Sequence, residues 1–186
     1  VKKADALVIG TNYHAELEEL YRNGGIAIVD KTKEEAMALA YQKYIYPQFE
    51  MKSVEEWFNI PMGKGNIFCG RIDGMAENGW LVEHKTTSGY ITEQYEYDLQ
   101  WDEQLLAYML ATGARHCYYT VCMKPNIRQR KNETDDEFFE RMCKWYDEDT
   151  ETKIKLFEIE RSDEEVEQFG QELLAMMEEM NTNHFY

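Results

Sequence analysis

The chain has 186 residues, 44% of them hydrophobic, and its 36 acidic residues outnumber its 20 lysines and arginines to give a formal net charge of −16. This length supports one well-formed core but not two full domains, so we expect a single domain over residues 1–186. The charge disfavours tight nonspecific binding to a polyanion, because phosphate contacts normally come from Lys and Arg. The sequence shows no long apolar run, signal peptide or disulfide-like cysteine spacing, so we expect a protein of the reducing cytoplasm without a membrane partner.

The first predicted helix covers residues 10–22 and contains Leu17 and Leu20 as candidate core residues. His14 is its one candidate metal ligand. A single histidine on an amphipathic helix is also typical of an ordinary surface or core residue, so the pattern alone leaves both interpretations open.

A β-hairpin is predicted from two apolar runs, residues 67–74 and 80–86, that flank Asn78 and Gly79. Asn-Gly between apolar runs is the strongest short-range signal of a tight turn with positive φ. The two runs should therefore pair as antiparallel strands.

Polar side chains on this hairpin form a candidate metal site. Glu83 and Lys85 are two residues apart, so they point to the same face of the strand, whereas His84 points to the opposite face. A modest stagger would place Asp73 beside Glu83, and two adjacent carboxylates repel each other unless a divalent cation offsets their charge. Lys85 could then hold an attacking water or the charge that develops on a phosphoryl group. The same residues are also common on the polar face of a half-buried sheet without any metal, so both interpretations remain open.

Residues 98–112 are predicted to form a helix with Asp98 as N-cap and Gly113 just beyond its end. Three polar side chains at four-residue spacing share one face of this helix, namely those of Gln100, Gln104 and Tyr108. Such a stripe either donates hydrogen bonds to a ligand or is a solvated helix edge.

The remaining elements complete an α/β pattern. Further helices are predicted near residues 33–46, 135–147 and 162–181, and further strands near residues 117–123 and 153–160. Capping boxes are indicated by Thr32 with Glu35, Thr134 with Glu137, and Ser162 with Glu165. We therefore expect a central mixed sheet of about four strands flanked by helices.

Four motifs occur in the order Gly10-Thr-x-x-His14-x-x-Leu-Glu18, Gly70-x-x-Asp73-Gly, Glu83-x-Lys85-Thr-Thr and Gln104-Leu-x-x-Tyr108. In content and order this set resembles the PD-(D/E)XK nuclease superfamily, specifically its RecB-like branch, which includes CRISPR-associated RecB-type exonucleases and phage recombination exonucleases. The resemblance covers roughly residues 9–111 and implies a restriction-endonuclease-like core. RecB-like proteins generally carry a further segment before the His helix, so it also implies that this chain lacks an amino-terminal segment.

The resemblance assigns roles to individual residues. It implies a metal site formed by the side chains of His14, Asp73 and Glu83 and by the backbone carbonyl of His84. It implies that Lys85 is the catalytic lysine, acting with Asp73 and Glu83. Gln104 and Tyr108, with Gln100 on the same predicted face, would support the site or contact the DNA strand.

The resemblance also implies Mg²⁺ or Mn²⁺ as cofactor, DNA with a free end as substrate, and a recombination protein as a candidate partner, in a bacterial or phage-infected cell. Some CRISPR-associated relatives hold an iron–sulfur cluster through a closely spaced late trio of cysteines. The cysteines of this chain lack that clustering, and they are Cys69, Cys117, Cys122 and Cys143. We therefore expect no cluster.

Charge is distributed unevenly. Residues 133–186 contain 18 acidic and 5 basic residues, whereas residues 1–132 contain 18 and 15. The densest basic cluster consists of Lys124, Arg128, Arg130 and Lys131. It follows a predicted strand and either clamps a DNA backbone or is simply solvated.

Two alternatives to an exonuclease remain open from the sequence. One is a structure-specific or sequence-specific endonuclease on the same scaffold, because the catalytic motifs do not show whether DNA enters the site from an end or internally. The other is a non-catalytic binding module that docks a partner through its acidic, Met-rich helix near residues 162–181.

Overall fold

The computed structural model describes residues 2–182, with side chains described for residues 7–180 and 182. In this part of the chain the α-helices are α1 (Lys2–Asn23), α2 (Lys33–Tyr44), α3 (Glu93–Asp98), α4 (Glu103–Thr112), α5 (Asp135–Asp147) and α6 (Asp163–Thr182). The strands are β1 (Met51–Gly63), β2 (Asn66–Ala76), β3 (Leu81–Thr87), β4 (His116–Met123) and β5 (Ile154–Glu160). None of the described helices combines the length and the apolar character needed to cross a membrane.

The strands form one mixed sheet in the order β1-β2-β3-β4-β5. Only β3 and β4 are parallel, and the other neighbours are antiparallel. A parallel pair needs a long crossover, which the segment containing α3 and α4 supplies. The predicted α/β fold with a central mixed sheet is therefore confirmed. The sheet has one strand more than the four predicted ranges, namely β1.

Side chains on opposite faces of the sheet form two hydrophobic clusters. Cys122 packs with α1 and α2, where Leu17, Leu20 and Tyr41 are fully buried. Its neighbour Val121 lies in the other cluster, which includes residues of α4 and α6. Adjacent residues of a strand point to opposite faces, so the sheet is covered by helices on both sides.

The helix starts follow local capping chemistry. The Thr32 hydroxyl accepts a hydrogen bond from the Glu35 backbone N–H, and the Glu35 carboxylate accepts one from the Thr32 backbone N–H. Equivalent reciprocal pairs are present in Thr134 with Glu137 and in Ser162 with Glu165. All three predicted capping boxes are confirmed.

Two helix starts differ from prediction. α1 begins at Lys2, well before residue 10. The predicted helix 98–112 is interrupted, because Asp98 is the last residue of α3 and residues 99–101 form a separate 3₁₀ turn. The N-cap of α4 is Asp102, whose carboxylate accepts hydrogen bonds from two backbone N–H groups of the first turn, while Gly113 ends the helix as predicted with φ +78°. Asp102 rather than Asp98 is therefore the N-cap of this helix.

Candidate metal centre

The residues of the candidate centre meet where β2 and β3 separate. These strands pair only at Gly74 with Val82 and at Met75 with Leu81. Asp73 and Glu83 come next in the same register, so they lie opposite each other just where the pairing stops. The connecting turn contains residues 77–79, with a positive φ of +84° at Gly79 but not at Asn78. It is therefore a three-residue turn rather than the two-residue turn suggested by the sequence.

Asp73 contacts both β3 and α1. Its Oδ2 accepts a hydrogen bond of 2.8 Å from the backbone N–H of His84, and its Oδ1 lies 3.4 Å from Nδ1 of His14 on α1. Burial raises the pKa of Asp73, but the hydrogen bond from His14, the nearby imidazoles and the His84 N–H together hold that pKa below its ordinary value. Asp73 is therefore ionised at neutral pH and able to act as a ligand.

Glu83 is the most buried acid of the centre, with a side chain only 5% exposed. Its Oε1 lies 2.5 Å from Nζ of Lys85, whereas its Oε2 is buried without a hydrogen-bond partner. Burial and then the charge of Asp73 raise the pKa of Glu83 to about 7. A buried carboxylate oxygen without a partner costs free energy, which a cation at that oxygen would offset.

Lys85 links β3 to α4. In addition to its ion pair with Glu83, its Nζ donates a hydrogen bond of 2.6 Å to Oε1 of Gln104. Gln104 Nε2 in turn donates to the Tyr108 hydroxyl at 2.5 Å. Burial lowers the pKa of Lys85, but the charge and hydrogen bond of Glu83 raise it above its ordinary value. The lysine is therefore a cation whose position is fixed from two sides.

His84 points away from Glu83 and Lys85, as the strand alternation predicts. Its ring packs edge-on against Tyr41, and its Nδ1 lies 2.8 Å from the Thr120 hydroxyl on β4. Burial lowers the pKa of His84 to about 4, so the ring is neutral at pH 7. The His84 side chain thus packs against α2 and β4 and holds the middle of β3 in place, while the His84 backbone N–H donates a hydrogen bond to Asp73.

The sequence reasoning did not assign three residues that the structure places at the centre. Glu18 and Glu55 line the same small cavity as His14 and Asp73, and the Thr120 hydroxyl donates to the Glu83 carbonyl at 3.3 Å. Glu18 follows His14 by one helical turn, so helix periodicity could have identified it. Glu55 and Thr120 carry no local signal, because their positions depend on strand pairing.

The side chains fit a hard divalent cation, although they are not gathered into a complete site. In the described residues, no three His, Cys, Asp or Glu side chains are arranged to hold a metal ion together. Asp73 is directed towards His14 and the His84 N–H, and Glu83 is directed towards Lys85. Nevertheless, two carboxylates, an imidazole and the unpartnered Glu83 Oε2 are donors of the kind that Mg²⁺ or Mn²⁺ requires.

Other predicted site residues lie away from this group. Gln100 is exposed in the 3₁₀ turn at residues 99–101 and does not belong to α4, so it does not share a helix face with Gln104 and Tyr108. The earlier prediction of a three-residue stripe is wrong, because the helix starts after Gln100.

The predicted basic cluster is only partly near the centre. The Lys124 backbone N–H donates to the Thr87 carbonyl at 2.8 Å, which places it at the end of β3. The side chains of Arg128, Arg130 and Lys131 are exposed in the loop before α5. Within residues 2–182, no hydrogen bond or ion pair connects these three side chains to the centre, so their contact with DNA stays a prediction.

No protein-family model and no curated protein matches the chain. Among solved structures, the chain is similar to a crystal structure of an alkaline exonuclease from Laribacter hongkongensis, with a TM-score of 0.48 and 19% identity over 92% of this chain and 79% of that chain. It is also similar to a phage-related exonuclease from Haemophilus somnus, with a TM-score of 0.44 and 13% identity over 87% of this chain and 76% of that chain. Because the sequence identities and TM-scores are low, any assignment of chemistry depends on the side chains of the centre itself.

Proposed function

We propose that the protein is a Mg²⁺- or Mn²⁺-dependent nuclease of the RecB-like branch of the PD-(D/E)XK superfamily, which hydrolyses phosphodiester bonds in DNA. The observation that supports this best is that Asp73 and Glu83 lie opposite each other where β2 and β3 separate, with Glu83 Oε1 2.5 Å from Lys85 Nζ and Glu83 Oε2 buried without a hydrogen-bond partner. A purely structural ion pair between Glu83 and Lys85 would not require a second carboxylate directly opposite Glu83.

Asp73 and Glu83 would hold the metal through their carboxylates, with the imidazole of His14 and the backbone carbonyl of His84 as further ligands. A divalent cation bound there supplies positive charge that neutralises the phosphate and makes a nearby water more acidic. Asp73 is already ionised, because its pKa lies below the ordinary value. Glu83, with a pKa of about 7, has to release its proton before it can bind a cation.

Lys85 would orient the nucleophile and stabilise charge on the phosphoryl oxygens. Hydrolysis requires a water oxygen to bond to phosphorus while the bond to the leaving sugar oxygen breaks and that oxygen gains a proton. The Lys85 ammonium can donate to an oxygen of the attacked phosphate, because its Nζ is fixed by Glu83 and Gln104 rather than free to rotate. Gln104 therefore acts as a positioning residue for Lys85.

Besides being a proposed ligand, His14 orients Asp73, and Thr120 acts as a positioning residue for β3. The His14 imidazole lies 3.4 Å from Asp73, and Thr120 binds both the His84 ring and the Glu83 carbonyl. These contacts hold β3 in the position that places Glu83 opposite Asp73. Groups that orient metal ligands in this way are usually needed for full metal affinity.

Digestion from a DNA end is the favoured mode, since the order of the four motifs resembles that of RecB-like exonucleases. The decisive experiment incubates the protein with Mg²⁺ or Mn²⁺ and compares linear DNA labelled at either end with a closed circle. Lys85→Ala is the test variant. Lys43→Ala is the control, because Lys43 forms an exposed ion pair with Asp147 between α2 and α5.

We expect the parent and the Lys43→Ala protein to degrade linear DNA but not the circle, and the Lys85→Ala protein to be inactive while remaining folded. The label that is released first gives the polarity. Degradation of the circle would favour the endonuclease alternative. Cleavage by Lys85→Ala at the parent rate, or no cleavage by any of the three proteins with either metal, would refute the proposal.

A further inference from the structure

β1 and β2 continue beyond the centre as a two-stranded ribbon. β2 pairs with β3 only at Gly74 and Met75, whereas its residues up to Arg71 pair with β1 alone. We call residues 56–63 and 66–72 the ribbon. It begins at the metal centre and ends in the turn at residues 64–65.

One face of the ribbon carries large exposed side chains. Trp57 is 72% exposed and lies directly across from Arg71, whose guanidinium carbon is 5.8 Å from the centre of the indole ring. Ile67 is 62% exposed and shares this face with Arg71, because the two residues are an even number apart on one strand. The opposite face is packed, with Phe58 against Tyr108 of α4. Exposed Cys69 lies between Arg71 and Ile67 on the same side of β2, so a row of exposed side chains runs along this face of the ribbon.

This face is continuous with the metal centre. Asp73 follows Arg71 by two residues on β2, so both side chains leave the strand on the same side, about 7 Å apart. That distance spans about one to two nucleotides, because an unpaired strand extends at least as far per nucleotide as the rise of roughly 3.4 Å along a duplex axis. A nucleic-acid strand with a phosphate at Asp73 would therefore meet Arg71 and Trp57 within about two nucleotides.

Glu55 connects the ribbon to the centre. It lies between Val54 and Glu56, which pair with Gly74 and Ile72 on either side of Asp73, and its carboxylate accepts a hydrogen bond of 2.8 Å from Arg71. Its φ of +52° lies in the left-handed region, which is rare for a residue other than glycine. Such strain is tolerated where surrounding contacts over-determine the backbone, and here the Arg71 pair is one of those contacts.

The edge of the ribbon is unsuited to pairing with another β-strand. β1 is an edge strand, but register shifts interrupt it between Met51 and Ser53 and between Pro61 and Gly63. Pro61 has no N–H to donate, and the left-handed Glu55 breaks the regular row of backbone groups. The exposed side chains are thus better suited to binding than the exposed backbone.

We propose that Trp57 and Arg71 form a stacking platform for an unpaired base of the substrate strand, next to the phosphate held at the metal centre. This rests on the proposed nuclease function and specifies its substrate as DNA with unpaired nucleotides at the site of cleavage. An indole face binds any base by stacking, and the neighbouring guanidinium adds a cation–π contact. Only an unpaired or terminal base exposes a face that the ribbon can reach.

The test measures binding of a fluorescent oligothymidylate and of the same backbone with abasic sites, with Ca²⁺ replacing Mg²⁺ and the oligonucleotide checked for cleavage. The variants are Trp57→Ala and Trp57→Phe. Met176→Ala is the control, since Met176 is a 59% exposed apolar residue on the acidic helix α6. Tryptophan fluorescence is followed in parallel.

We expect Trp57→Ala to weaken binding of oligothymidylate by roughly 5- to 100-fold, Trp57→Phe to retain much of it, and Met176→Ala to bind like the parent. All four proteins should bind the abasic strand equally, because it offers no base to stack. Oligothymidylate should quench indole fluorescence in the parent but less in Trp57→Phe.

Equal affinities of Trp57→Ala and the parent for oligothymidylate, with the parent active on DNA, would overturn the platform and leave the nuclease proposal intact. A parent that neither binds nor cleaves DNA would overturn both. If sedimentation showed a parent dimer that Trp57→Ala dissociates, the ribbon would be an interface between two copies, and the platform would again be wrong.

Discussion

Glu83 should make the metal-free protein less stable as the pH rises, and Glu83→Gln should remove that effect. The Glu83 side chain is buried, one of its oxygens has no partner, and its pKa rises from 4.5 to about 7. Between these two values the folded protein keeps a proton that the unfolded chain has lost. Stability therefore falls as the pH rises through this window.

The magnitude follows from the two pKa values. A tenfold change in the acid dissociation constant is worth about 1.4 kcal/mol, so a rise from 4.5 to about 7 costs about 3 kcal/mol of unfolding free energy once Glu83 is fully ionised. Glutamine keeps the shape of the side chain but does not titrate. The difference between parent and variant should therefore change by about 3 kcal/mol across the window.

Two histidines titrate in the same range, so the parent curve alone is not diagnostic. Burial lowers the pKa of His84 to about 4, which makes stability rise between about pH 4 and 6.5. The pKa of His14 is raised, because the hydrogen bond and charge of Asp73 outweigh the opposing effect of burial, so its contribution is lost as the pH rises above 6.5. Both residues are present in parent and variant, so subtraction largely removes them.

The assay is urea unfolding of both proteins in EDTA at several pH values from 5 to 8. The parent should lose stability relative to Glu83→Gln as the pH rises, with most of the change complete by pH 8. Parallel curves for the two proteins would refute the assignment of Glu83 as a buried acid whose pKa is raised by burial and by the charge of Asp73.

Three further outcomes are expected. Mn²⁺ at one hundred times its dissociation constant at pH 8 should stabilise the parent by about 3 kcal/mol in thermal unfolding, and the same Mn²⁺ concentration should stabilise it less at pH 6, with no effect on Asp73→Ala. Thr120→Val should lose about 1–3 kcal/mol of stability in urea, because the hydroxyl binds the His84 ring at 2.8 Å in a buried position; an unchanged midpoint would contradict this role. Exposed Cys69 should react with an alkylating agent in the native protein, whereas Cys122 should react only after unfolding, because burial raises the pKa of its thiol to about 12; mass spectrometry of the labelled peptides would show either result.

The centre was predictable where its chemistry depends on local sequence. Alternation along one strand placed Glu83 and Lys85 together and His84 apart, and the structure has them so. To predict that Asp73 lies near Glu83, it was sufficient to recognise the turn between the two strands. The three capping boxes were equally local, and each is present.

The parts that depend on distant pairing could not be predicted. β1 contains Pro61 and lacks regular alternation, because it is an edge strand with register shifts and one face in solvent. Because β1 was not predicted, neither the position of Glu55 near Asp73 nor the exposure of Trp57 could be inferred from the sequence. The interruption before α4 was missed for a related reason, since Asp98 and Asp102 are both good N-caps and the choice between them depends on tertiary packing.

The distribution of charge favours the ribbon over α6 as the path of a bound strand. Residues 56–72, which comprise the ribbon and its turn, contain one Glu, one Lys and one Arg, so this segment has a net charge of +1 in a chain of net charge −16. By contrast, α6 is acidic and packs against α4, with Gly170 close to Leu110. A strand leaving the centre past α6 would face repulsion, whereas one leaving along the ribbon meets Arg71 and Trp57. The protein has few Lys and Arg side chains that could contact phosphates and release their counter-ions. We therefore expect DNA binding to depend mainly on the metal centre and on base stacking. Salt should weaken stacking less than it weakens phosphate contacts.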